Sequence, residues 1–118
     1  MNVGIRRVYD PPRSAEGFRV FVDRLWPRGM RKDQLEYDLW EKEIAPTPAL
    51  RKWFGHMPAR WDEFGKRYRQ ELEKPETRER LREIIKAAGR RNITLLYGAR
   101  DAEHNHALIL ADAIKRLY

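Results

Sequence analysis

Apolar and polar positions alternate early in the chain. Phe18, Val20 and Val22 fall on one face of an extended segment and Arg19, Phe21 and Asp23 on the other, which predicts a strand over Phe18 to Asp23. Ile5 to Tyr9 reads as a second, earlier strand. The residues between them, Asp10 to Gly17, include Pro11 and Pro12. They are few for the helical crossover that joins parallel strands, so they predict a hairpin or a stunted helical turn.

After the loop Trp26-Pro27-Arg28-Gly29 the spacing of apolar residues becomes helical. Leu35, Leu39, Trp40 and Ile44 mark a first helix stopped by Pro46 and Pro48, and Leu50, Trp53 and Phe54 mark a short second one ending at Gly55. Trp61, Phe64, Tyr68 and Leu72 form the stripe of a third helix. Leu81, Ile84, Ile85 and Ala88 form that of a fourth, closed by Gly89. Ile93 to Tyr97 is a nearly continuous apolar run of strand formers, the pattern of a central strand covered on both faces. A last helix carries Ala107, Leu110, Ile114 and Leu117. Two strands, a block of helices, a strand and a helix predict an α/β fold: a small, mainly parallel sheet with helices packed around it. The strand at Ile93 returns parallel to the one at Phe18 through a right-handed crossover.

Composition narrows this picture. At 118 residues the chain makes one domain, residues 1–118, with a single core. With 42% hydrophobic residues it is too apolar to be disordered despite 36% charged residues. Cysteine is absent, which excludes a disulfide framework, a thiolate nucleophile and cysteine-ligated metal centres. No apolar run is long enough to span a membrane and no signal-peptide pattern opens the chain, so the expected compartment is the cytoplasm. The formal net charge of +7 is spread through both halves, and arginine outnumbers lysine 18 to 7. Guanidinium groups suit phosphate and carboxylate recognition, which makes an anionic ligand plausible, although the alternating stretch Thr77 to Glu83 reads simply as a solvated helix face.

Parallel strands bring their carboxyl ends to one edge of a sheet, where open α/β folds place ligands. That edge should gather Asp23, Arg24, Trp26 and Arg28 after one strand and Tyr97, Arg100 and Asp101 after the other, with Tyr9 and Asp10 joining if the first strand is also parallel. Asp101 is placed to cap the last helix, with Ala102, Glu103 and His104 as its first turn. An anion there would meet free N–H groups beside Arg24, Arg28 and Arg100. The bland alternative makes Asp23–Arg24 and Arg100–Asp101 structural ion pairs.

His104 and His106 point too far apart on a regular helix to share one ion, so no metal site is expected. Neither a P-loop, a dinucleotide-binding glycine motif nor a Gly-x-Ser-x-Gly elbow occurs, and no cofactor is called for. The aromatics Trp26, Tyr37, Trp40, Trp53, Phe54, Trp61, Phe64 and Tyr68 alternate with basic residues and could form a nucleic-acid stacking surface. Their helical spacing favours a core role. Trp26 is the exception, since a loop tryptophan beside Pro27, Arg28 and Gly29 is positioned to cover a ligand.

Several motifs carry a family resemblance: Tyr9-Asp10-Pro11-Pro12, Asp23-Arg24-Leu25-Trp26-Pro27-Arg28-Gly29, Arg51-Lys52-Trp53-Phe54-Gly55-His56, and Arg100-Asp101 with Asn105-His106-Ala107. They resemble the short, YeaO-like branch of domain of unknown function family 488 over nearly the whole chain. The resemblance implies an α/β domain and a bacterial or archaeal cytoplasmic protein, and brings no reaction with it. In the longer relatives that the resemblance brings in, Cys-Ala-Glu and Cys-His-Arg stand where this chain has Tyr97-Gly98-Ala99 and Asn105-His106-Ala107, so thiol and metal chemistry does not carry over, whereas Asp23, Arg24, Pro27, Asp101 and His106 do, position by position.

Two functional expectations follow. In the first, an enzyme or ligand-binding domain takes a small anionic, phosphate-bearing or nucleotide-like molecule at the strand ends. Arg24, Trp26, Arg28, Tyr97 and Arg100 bind it, Asp23 and Asp101 supply carboxylates, and His56 or His106 moves a proton. In the second, a non-catalytic module binds nucleic acid through its spread positive charge. Neither expectation involves a membrane.

Overall fold

A computed structural model describes residues 2–118. Four strands, β1 (Val3–Arg7), β2 (Phe18–Phe21), β3 (Leu39–Trp40) and β4 (Ile93–Tyr97), form one sheet in the order β1-β4-β2-β3. Every neighbouring pair is parallel. β4 is therefore an inner strand, buried along its length as its apolar run predicts, and Phe18 and Val20 of β2 face Ile93 and Leu95 in register. The sheet is accompanied by α1 (Pro48–Phe54), α2 (Trp61–Leu72), α3 (Pro75–Ala88) and α4 (His106–Lys115). Among the described residues no helix is long and apolar enough to cross a membrane.

The alternation seen in the sequence divides the interior in two. Phe18, Val20 and Val22 join Ile93, Leu95 and Tyr97 beneath all four helices, with Phe64, Tyr68, Leu81, Ile84, Leu110 and Ile114 from above. Phe21 and Leu96 point to the other face and pack with Val8 and Leu35, flanked by Trp26, Met30 and Trp40. No helix contributes to this second core. Segment 22–40 covers it as a chain of turns, pinned by the Trp40 indole N–H donating to Asp23 O at 2.7 Å and that of Trp26 to Met30 O at 2.6 Å.

The helix expected over Leu35, Leu39, Trp40 and Ile44 does not form. Two 3-10 turns, Lys32–Gln34 and Lys42–Ile44, flank the two-residue strand β3 instead. Leu35 and Trp40 serve the second core while Leu39 and Ile44 serve the first, so these residues lie on opposite sides of the sheet, which one helical stripe cannot do. The first strand also begins earlier than expected, at Val3, leaving Val8 and Tyr9 outside it.

Of the two expectations for residues 10–17, the hairpin fails and the stunted helical turn holds, as a 3-10 turn at Ser14–Glu16. β1 and β2 both run parallel to β4 and lie on either side of it, so the connection crosses over β4. Gly17 ends it with φ 70°, and a Cβ there would lie 2.3 Å from Asn92 O, so only glycine fits. Glu16 turns back onto the sheet, where its carboxylate meets Arg6 Nε and Arg19 Nε at 2.9 Å each.

Candidate functional site

With three parallel strands ending on one edge, the loops after β1, β2 and β4 converge there and enclose a cavity of about 590 Å³. Its size falls in the range of pockets that hold small ligands. The loop after β2 supplies Asp23, Arg24, Trp26 and Arg28, and that after β4 supplies Arg100 and Asp101, as the parallel pairing predicts. Tyr9 joins from the loop after β1 and His56 from beyond α1. Tyr97 is not among the lining residues. It belongs to the core beneath the helices, and burial raises its hydroxyl pKa above the ordinary value.

Asp23 sits at the inner wall. One carboxylate oxygen accepts the Gly98 N–H at 2.9 Å, and a Cβ on Gly98 would lie 3.0 Å from that oxygen, so glycine lets the backbone approach. The other oxygen lies 3.5 Å from His106 Nε2, which itself donates to Val22 O at 3.0 Å. Burial dominates both titrations. It raises the Asp23 pKa, with His106 and the Gly98 N–H opposing, and it lowers that of His106, with Asp23 opposing.

A pKa shifted by burial couples folding to pH. His106 has its folded pKa below 6.5, so its contribution to stability is complete above 6.5 and is lost as pH falls through the lowered value. Asp23 works the other way: its contribution is complete below 3.8 and is lost as pH rises through the raised value. Chemical denaturation between pH 7 and 5 is expected to show stability falling with pH in the wild type and a flatter profile in His106→Gln. Parallel profiles would mean that His106 is not buried neutral.

Asp101 does not cap the last helix. Its Oδ1 accepts the N–H groups of Glu103 and His104 at 2.9 and 3.1 Å, closing a turn, and α4 begins only at His106 with Asn105 before it. Those bonds, together with His104 Nδ1 at 2.8 Å from Asp101 Oδ2, hold the Asp101 pKa down. His104 lines the cavity, so all three histidines of the chain, His56, His104 and His106, share it. His56 adopts φ 56°, a left-handed conformation uncommon outside glycine and asparagine, directly after Gly55 closes α1.

The arginines divide into two kinds. Arg24 is anchored: its guanidinium donates to Ala45 O at 3.1 Å and Pro46 O at 3.4 Å and lies 3.9 Å from Glu43. Its acidic partner is thus Glu43 and not Asp23. Arg28, Arg51 and Arg100 are exposed side chains that, among the described residues, make no hydrogen bond or ion pair of their own. Trp26 is built into the second core as well as into the wall, its ring 5.8 Å from Phe21 and 5.6 Å from Trp40.

Arg51 and His104 escaped the sequence reading. In the sequence Arg51 shows only as part of a basic and aromatic stretch, yet Thr47 and Pro48 mark the start of α1 and so place Arg51 in its first turns, by the cavity. His104 was assigned to a helix that starts later, a start that Asn105 signals. Among the described residues no group of acids and histidines is arranged to hold a metal ion.

Fold and cavity together define a small parallel α/β domain with a cavity, rimmed by arginine, at the carboxyl ends of its strands. The chain belongs to the DUF488 family: the family model described as "Inactive DUF488-N3 subclade" matches residues 2–118. It is 43% identical to the uncharacterized protein YeaO of Escherichia coli K12 over 118 residues, which cover 99% of this chain and 100% of the other. It is also 39% identical over 112 residues to the uncharacterized proteins Mb3100c of Mycobacterium bovis and Rv3073c of Mycobacterium tuberculosis, covering 95% of this chain and 92% of each. No solved structure matches.

Proposed function

We propose that this domain binds a small anionic, phosphate-bearing molecule in the cavity at the strand ends and does so without turning it over. The observation that carries the reading is the convergence of Arg28, Arg51 and Arg100, three guanidinium groups without partners, on one cavity of about 590 Å³. Guanidinium forks recognise phosphate and carboxylate oxygens by paired, charge-assisted hydrogen bonds. Binding without chemistry is favoured by the description of the subclade as inactive and by the absence of any serine, threonine, cysteine or lysine from the lining.

The nucleic-acid reading has less support. The rings of Phe54, Phe64 and Tyr68 lie in the core, and that of Trp53 is covered by the guanidinium groups of Arg60 and Arg67, 5.3 and 4.3 Å from its centre.

The test is calorimetric titration with inorganic phosphate and nucleoside monophosphates. Arg28→Ala and Arg51→Ala should each weaken binding about tenfold or more, the value of one hydrogen bond to a charged group. Both side chains are exposed, so the unfolding temperature without ligand should not move. Affinity that is unchanged in both variants, or no binding by the wild type, would defeat the proposal.

A further inference from the structure

His104 has one ring nitrogen committed and the other free. Its Nδ1 lies 2.8 Å from Asp101 Oδ2, while Asp101 Oδ1 accepts the N–H groups of Glu103 and His104. These bonds keep Asp101 ionised, and a carboxylate only accepts, so the proton of the pair sits on Nδ1. Nε2 makes no hydrogen bond among the described residues, and it is not sealed from solvent. The imidazole lines the cavity, with its side chain 30% exposed and the Trp61 ring 5.5 Å away at 88°.

With Nδ1 fixed as a donor, Nε2 is the atom at which this imidazole gains or loses charge. A lone pair there would repel the oxygens of an anion held by Arg28, Arg51 and Arg100. A proton there turns the same atom into a charge-assisted donor, and the Asp101 carboxylate balances the imidazolium. Trp61, packed against the ring from α2, brings no charge. The other titratable and charged side chains around the cavity are Asp23 and His106 at the inner wall, then Tyr9, Arg24, His56 and the three arginines. Asp23 and His106 are engaged with the Gly98 N–H and Val22 O. His56 has no carboxylate partner among the described residues.

Resting on the anion-binding reading, we propose that His104 is a further contact to the anion and that the ligand enters together with a proton from solvent, which Nε2 takes up and donates to an oxygen of the anion. Asp101 is the positioning residue, fixing which nitrogen is left for the ligand. Affinity for a tetrahedral oxyanion therefore rises as the medium becomes mildly acidic.

The experiment is calorimetric titration with inorganic sulfate, whose own charge is constant over the range used, at pH 6 and pH 8 and in buffers of different ionisation enthalpy. The wild type should bind sulfate about tenfold more tightly at pH 6, the value of one hydrogen bond to a charged group, and the buffer dependence of the heat should show protons taken up on binding. His104→Gln should bind sulfate with equal, reduced affinity at the two pH values and without proton uptake. Asp101→Asn, which cannot balance an imidazolium, should take up fewer protons than the wild type. Wild-type binding with neither pH dependence nor proton uptake, or uptake that persists in His104→Gln, overturns the assignment of His104 and leaves anion binding standing. Full uptake in Asp101→Asn overturns the role given to Asp101. Failure of both sulfate and inorganic phosphate to bind the wild type at either pH overturns the anion-binding reading as well.

Discussion

Glu16→Ala is expected to be among the most damaging single substitutions in this protein, lowering stability by about 3–5 kcal/mol, as removing one partner from a buried ion pair does. The carboxylate joins Arg6 and Arg19, whose side chains are 16% and 9% exposed. Its removal leaves two guanidinium groups facing each other on a sheet surface with little water. The Arg19 backbone N–H is held by the Asp38 carboxylate at 2.8 Å and its guanidinium also donates to Glu36 O, so the side chain cannot swing out freely. Urea denaturation measures the loss. Glu16→Gln, which keeps the shape and one acceptor, should fall between wild type and alanine. A Glu16→Ala midpoint close to wild type would mean that the arginines find solvent.

Phe21→Ala should cost about 3–5 kcal/mol as well, the range for deleting a buried aromatic ring. Phe21 is fully buried and forms the centre of the second core, with ring centres 5.8 Å from Trp26 and 5.4 Å from Trp40. No helix can settle into the space, because that core is roofed only by the turns of segment 22–40. Denaturation monitored by tryptophan fluorescence reports both the lost stability and the altered surroundings of the two indoles. Leu25→Ala in the same segment is the control: at 59% exposure it should change stability by less than about 0.5 kcal/mol. Similar losses from the two variants would contradict the two-core description.

Those two cores explain which parts of the molecule could be read in advance. Phe18, Val20 and Val22 declared a strand because each packs on the same side, and Trp61, Phe64, Tyr68 and Leu72 declared a helix for the same reason. Of the helical stripe, Phe64, Tyr68 and Leu72 are buried, and Trp61 packs partly buried at the edge. Leu35 to Ile44 misled because its apolar residues serve both sides of the sheet by turns, and in one dimension their spacing imitates a helix. At the site, parallel strands were enough to bring Asp23 and Arg100 to one rim. They could not reveal that Arg24 would be tied to the carbonyls of Ala45 and Pro46, which depends on the path of distant backbone. Tyr97 turning inward was legible in the strand's alternation, since it shares a face with Ile93 and Leu95.

The order β1-β4-β2-β3 also sets a schedule. β1 and β2 have no hydrogen bonds to each other, and each waits for β4, the last strand in the chain. While the polypeptide emerges from the ribosome, the only ladder among the described residues available before residue 93 is the two-residue pairing of β2 with β3. α1, α2 and α3 can coil earlier, but their apolar stripes have no completed sheet to rest on. Closure of the whole domain is thus a late, long-range event in which Ile93 to Tyr97 slides between two strands made far earlier. Such non-local pairing slows folding and prolongs the exposure of sticky surface. A nascent chain halted short of β4 would carry most of its arginines and aromatics but neither a sheet nor a cavity, so chaperone engagement should be heaviest just before the final quarter of the protein is made.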